Sequence, residues 1–206
     1  KLRDKRIMLL NSQSFIDKYS ATLENPESIL SYPEKILQFG TGVLLRGLPD
    51  YFVDRANKNG TYKGRIVVVK TTGTSAGTEF SDQANLFTQL IKGYSKGQFI
   101  EEEIINASIS TVLHSNENWD AILEKAATAE INVIISNTTE QGLVYEKDDI
   151  EATPPKSFPA KLLACLIKRY EVLGDTEASE MVVVPTELLD GNGKLLKSII
   201  DKHLAD

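Results

Sequence analysis

Residues 35–47, KILQFGTGVLLRG, leave this chain few ways to fold. A short apolar run, Ile36, Leu37 and Phe39, meets Gly40 and Gly42 and passes into a stretch where Val43, Leu44, Leu48, Phe52 and Val53 recur at helical spacing. That order reads as a buried strand, a tight glycine turn and an amphipathic helix. A turn at a helix start presents N–H groups that have no intrahelical acceptor, at the positive end of the helix dipole. A pyrophosphate can bind there without a dedicated cation, and Gly42 lets it approach closely. The dinucleotide fingerprint G-x-G-x-x-G wants a third small residue where this chain has Leu45, and Gly47 comes too late to supply it. For the glycines alone, an ordinary strand-to-helix turn is the competing reading. The fingerprint also expects an acid at the end of the second strand, to hold the ribose. Here RIVVVK ends in Lys70, Thr71 and Thr72, and no carboxylate stands there.

The same alternation continues along the chain. RIVVVK, residues 131–135 and residues 181–184 are β-branched runs suited to parallel strands buried on both faces. Residues 86–92 and 98–105 flank GYSKG and read as an antiparallel hairpin. Consecutive strand residues point to opposite faces, so Glu101, Glu102 and Glu103 within it form a solvated edge and not a metal cluster. Residues 104–113 continue as a further strand. Asn116 then caps a helix carrying Trp119, Ile122, Leu123 and Ala126 on one face, and Ser157 starts another with Leu162, Leu163, Leu166 and Ile167 inward. The expected fold class is α/β: a Rossmann-type, doubly wound, mostly parallel sheet with an antiparallel hairpin insertion. Residues 1–34 read as an arm packing on the domain, and residues 35–206 as the dinucleotide-binding domain.

A second turn is richer than the first. Residues 131–135 run straight into Ser136, Asn137, Thr138, Thr139 and Glu140. Strand ends of an open parallel sheet face the ligand crevice, so small polar side chains there can meet a ribose, a nicotinamide or a substrate hydroxyl. A cap for the next helix needs only one such residue. Glu187 lies at the end of the last strand, and Asn192 can cap the final helix. The loop of residues 71–80 is small-residue rich and stands near the same crevice.

Composition narrows the function. The net charge is −6 with no basic stripe, which argues against a nucleic-acid partner. No apolar run reaches the roughly 18 residues of a membrane span. Cys165 is the only cysteine and lies on an apolar helix face, so it reads as a buried, inert thiol in a cytoplasmic protein. His114 and His203 have no metal-ligand partners at the right spacing. Nucleophile-elbow, Walker, HExxH and CxxC motifs are absent from the sequence.

QFGTGVLLRG, SDQANLFTQLIKG, ISNTTEQG, SFPAKLLACLIKRY and PTELLDGNGKLLK, in this order and at these intervals, resemble the N-terminal domain of the mannitol dehydrogenase family. SNTTE, FPAKL and ELLDGNG look most like its tagaturonate-reducing branch. The resemblance implies a Rossmann domain binding NAD and serving hydride transfer between a keto-uronate and an aldonate. Gly40, Thr41, Gly42, Val43, Leu44 and Arg46 match the phosphate turn, with Lys70 and Thr71 at the ribose. Asn137, Thr138 and Thr139 match the nicotinamide side, and Glu140, Glu187 and Asn192 the substrate side. Polyol-oxidising members carry an Asp-Asn pair where this chain has Glu187 and Leu188, which favours the uronate branch. The family's general acid/base lysine, in the pattern K-x-x-x-x-N-x-x-H of a second, helical domain, has no match in these residues. A helical domain after residue 206 is therefore expected as this chain's own partner, with a small sugar acid as substrate. Fructuronate or mannitol oxidoreductase, and a module that binds NAD(H) without chemistry, are the alternatives at this point.

Overall fold

The computed structural model describes residues 9–71, 79–138 and 140–205, the side chains of Glu140 and Gln141 excepted. Five parallel strands form the central sheet: β1 (Glu34–Phe39), β2 (Arg65–Lys70), β5 (Ile109–His114), β6 (Val133–Ser136) and β7 (Val182–Pro185). Their order is β5-β2-β1-β6-β7. The chain steps outward from β1 on one side, then returns to lay β6 against β1 on the other. Strand direction of travel therefore reverses between β1 and β6, and the loops leaving their ends diverge to open a crevice. A separate ribbon, β3 (Phe87–Ser95) with β4 (Gln98–Asn106), pairs antiparallel across a two-residue turn. Lys96 and Gly97 both take positive φ there, as that turn requires. Glu101, Glu102 and Glu103 are exposed on it.

The core is divided by the sheet. Leu37, Phe39, Val67, Val69 and Ile134 meet Trp119 and Ile122 of α5 (Trp119–Ala126), Leu162 and Cys165 of α6 (Phe158–Leu173), and Leu196 and Ile199 of α7 (Asn192–Ala205). On the other side, Ile36, Ile66, Val68 and Ile109 gather around Leu45. A third cluster joins Phe15 of α1 (Ser12–Tyr19) and Ile29 of α2 (Pro26–Ile29) to Leu86, Ile105 and Ala107 at the base of the ribbon.

Four local expectations need correction. The helix after Gly42 is two helices, α3 (Val43–Gly47) and α4 (Pro49–Lys58), because Pro49 removes an N–H and Leu48 leaves helical geometry. The face expected to be buried is outside: Val43 is 78% and Phe52 60% exposed. What α4 buries is Asp50, Asp54 and Asn57, which serve backbone groups of neighbouring loops. Asp54 Oδ1 accepts from Ala107 N–H at 2.9 Å, and Asn57 exchanges two hydrogen bonds with Gly64. Second, residues 104–113 are not one strand. Asn106 breaks them, its Oδ1 accepting from Ser108 N–H and its amide reaching Gln89 and the Asp50 carbonyl. Third, Asn118 and not Asn116 stands at the start of α5, and it accepts from His114 N–H at 3.0 Å instead of from the helix. Fourth, β7 is an edge strand with Val182 61% exposed, not a strand buried on both faces.

Candidate functional site

The two turns meet at the reversal point. Gly40 has φ +121°, and a Cβ there would stand 3.0 Å from Leu45 Cδ1 and 3.2 Å from the Asn137 carbonyl, so glycine is required by both conformation and space. Gly42 differs. Its φ is ordinary, and a Cβ would meet nothing within 4 Å. Its hydrogen faces open space, where a side chain would compete only with a ligand. The first-turn N–H groups of α3 have no intrahelical acceptor, and since α3 is a single turn these groups, more than a long helix dipole, make the turn attractive to an anion.

The second turn is braced from behind. Glu187, only 3% exposed, accepts through Oε1 from Ser136 Oγ (2.9 Å), Thr138 N–H (2.9 Å) and Thr138 Oγ1 (3.2 Å). Its Oε2 has no partner among the described residues. Asn137 donates to the Thr186 carbonyl, and Asn192 donates to the Pro185 and Glu187 carbonyls. Gly142, in the 3-10 turn Glu140–Leu143, packs so closely that a Cβ would lie 2.4 Å from Thr138 Oγ1. Glu187 and Asn192 thus fix the shape of the turn that carries Thr138.

Between the turns lies a cavity of about 530 Å³. Of the residues expected at a site, Gly40, Thr41, Gly42, Thr71, Asn137 and Thr138 line it; Val43, Leu44, Arg46, Lys70, Glu187 and Asn192 do not. Thr139 and the side chain of Glu140 lie outside the described residues, as does most of the loop after Thr71. Lys70 pairs with Glu79 Oε1 at 3.5 Å, so the loop returns a carboxylate to the end of β2, which local sequence spacing did not reveal. The far wall comes from residues that the sequence reading took only as a helix start: Ser157, Phe158 and Lys161. Ser157 caps α6 by accepting from Ala160 N–H, and Phe158 meets Phe39 edge-on with ring centres 5.2 Å apart. Lys161 is 5% exposed and donates to the Lys156 carbonyl at 2.6 Å. Burial pushes its pKa down, against the raising influence of Asp148.

Beneath the first turn, Asp50 is fully buried and neither carboxylate oxygen has a hydrogen-bond partner among the described residues. Burial raises its pKa from 3.8 to about 7, although the Gln38 side chain and the Arg46 guanidinium both pull it down. Cys165 is buried and its thiol is pushed up to about 12. No group of metal-ligating side chains occurs among the described residues.

Residues 34–206 match the family model described as the mannitol dehydrogenase Rossmann domain. The chain is 36% identical over 195 residues to altronate oxidoreductase of Halalkalibacterium halodurans, covering 91% of this chain and 38% of that protein. Against altronate oxidoreductase of Bacillus subtilis it is 37% identical over 170 residues, covering 82% and 35%. It therefore spans little more than a third of the length of these relatives. Its fold superposes on mannitol 2-dehydrogenase of Pseudomonas fluorescens, solved as a ternary complex with NAD and D-mannitol, with TM-score 0.76, 19% identity, and coverage of 96% of this chain and 42% of the other. A substrate-free D-sorbitol dehydrogenase gives TM-score 0.70 at 17% identity, covering 86% and 39%.

Proposed function

The chain belongs to the mannitol dehydrogenase family, as its Rossmann domain, and from that premise we propose that it is the NAD-binding part of an altronate oxidoreductase. The supporting observation is the cavity itself. It joins a glycine turn whose N–H groups are open to a phosphate with a polar turn, Asn137 and Thr138, held rigid by Glu187. NAD, when bound, supplies or accepts the hydride exchanged with the carbon that is alcohol in altronate and ketone in the keto-uronate.

This chain's own residues do the holding. Gly42 leaves room for the pyrophosphate, Thr71 and the Lys70–Glu79 pair stand at the ribose end, and Thr138 faces the reacting end. Val43, Leu44 and Arg46 belong to the phosphate turn as its helix, with Thr139 and Glu140 extending the second turn toward substrate. The proton that accompanies hydride transfer is assigned to a lysine of a helical domain beyond residue 206. That domain also closes the crevice over the sugar acid. A single buried thiol and the lack of any described helix able to cross a membrane fit a cytoplasmic enzyme.

The test uses the full-length protein. NADH oxidation with tagaturonate should be rapid, and residues 1–206 alone should be slower by about 10²- to 10⁴-fold, the share commonly supplied by a positioned general acid. Gly42→Val should weaken NADH binding in calorimetry without lowering the melting temperature, because its side chain meets only the ligand's space. A full-length protein that binds NADH and turns over neither sugar acids nor polyols would make the chain a binding module instead.

A further inference from the structure

The cavity holds one cation that the dinucleotide reading leaves without a task. Lys161 is buried on the α6 wall, and of its three N–H donors only one has a described acceptor, the Lys156 carbonyl at 2.6 Å. Among the described residues no carboxylate lies within 4 Å of its Nζ. Asp148, whose charge it feels, is committed elsewhere, its Oδ2 accepting from Ser157 N–H at 2.6 Å. Glu146 lines the same cavity from an exposed position. A desolvated ammonium without a counter-ion is costly, and a chain retains one where an anion arrives to complete it. The pyrophosphate is already served by the backbone of the first turn, so a second anion is the better match. The helix N-terminus adds little, since Pro159 has no N–H and the Ala160 N–H is taken by Ser157 Oγ.

We propose that Lys161 is the anchor for the carboxylate of the sugar acid, placing the acid end of the substrate against the start of α6 and its reacting carbon toward Thr138. The inference rests on the oxidoreductase reading. It adds that selection of acids over neutral polyols lies within this domain.

The experiment compares full-length wild type, Lys161→Met, Lys161→Gln and Lys161→Arg. Altronate oxidation gives KM and kcat, and NADH fluorescence gives cofactor affinity separately. Lys161→Met and Lys161→Gln should raise the altronate KM by about 10²-fold, as expected when one partner of a buried charge pair is lost. They should leave kcat within about tenfold and NADH affinity unchanged, and Lys161→Arg should recover part of the loss. An unchanged KM in a folded variant overturns the proposal. So does an equal loss of NADH affinity, which would give Lys161 to the dinucleotide, or a collapse of kcat alone, which would make it a proton donor. Wild type that is inert toward altronate would instead overturn the oxidoreductase reading, before any variant is measured.

Discussion

The helices on the two sides of the crevice are held to the sheet by opposite means. α6, beyond β6, buries Phe158, Ala160, Leu162, Leu163 and Cys165, so its attachment is apolar and insensitive to pH. α4, beyond β1, buries Asp50, Asp54 and Asn57 while Leu48 and Phe52 face outward. Its attachment is a set of hydrogen bonds from side chains to loop backbone, and one ion pair. Apolar burial tolerates a lost methylene in proportion to the cavity left, whereas a buried polar set fails sharply when one partner goes. The helix nearest the phosphate turn is therefore the one whose stability is exposed to protons and to single polar deletions.

The largest effect is expected at Lys58. Its Nζ lies 2.6 Å from Asp54 Oδ2 and 2.9 Å from the Ile105 carbonyl, and it sits 4.0 Å above the Tyr19 ring. Burial lowers the Lys58 pKa and raises that of Asp54, so the pair is held against its desolvation cost. Lys58→Met leaves Asp54 buried and unpaired, and should cost about 3–5 kcal/mol at pH 8 in denaturant titration. The loss should shrink on acidification, as Asp54 takes up a proton. Leu162→Ala in α6 should cost about 2–5 kcal/mol and show no such pH dependence. Equal pH profiles for the two variants would erase the contrast.

Asp50 gives the next effect, with opposite sign. Its folded pKa of about 7 exceeds its ordinary 3.8, so the folded state holds a proton that the unfolded chain has already released. The associated stability is complete below 3.8 and is lost as pH rises through 7. Asp50→Asn should therefore melt higher than wild type at pH 8, by about 2–4 kcal/mol, and close to wild type at pH 4. A variant less stable at pH 8 would mean that the carboxylate is stabilised as an anion. The smallest effect is expected at Phe52, on the outward face of α4. Phe52→Ser should change stability by less than about 0.5 kcal/mol. A large loss there would restore the amphipathic reading of that helix.

Sequence alone carries the alternation of strands and helices well, because RIVVVK and VIIS have little choice once buried in a parallel sheet. It misleads at α4. Val43, Leu48, Phe52 and Val53 do recur at helical spacing, but periodicity marks a face and cannot say which face turns inward when a broken helix packs over loop backbone. The break itself was legible in Leu48-Pro49. β7 misled for a different reason: a run of valines suits an edge as well as a centre, and strand order is decided by contacts far apart in the chain. At the crevice, glycines and small polar residues after β1 and β6 are readable because strand ends impose their position. Lys161 is not, since FPAKLL reads locally as a capped helix and only the closure of α6 over Phe39 turns its second-turn lysine inward. Glu79 is hidden likewise by a loop that doubles back on Lys70.

The seat of Cys165 has a practical use. As the only thiol in the chain, buried between α6 and the sheet and with its pKa pushed to about 12, it meets a thiol reagent only while α6 is lifted away. Its modification rate is then a clock for that opening, and a ligand that bridges α6 to the first turn slows the clock by the factor by which it favours the closed state.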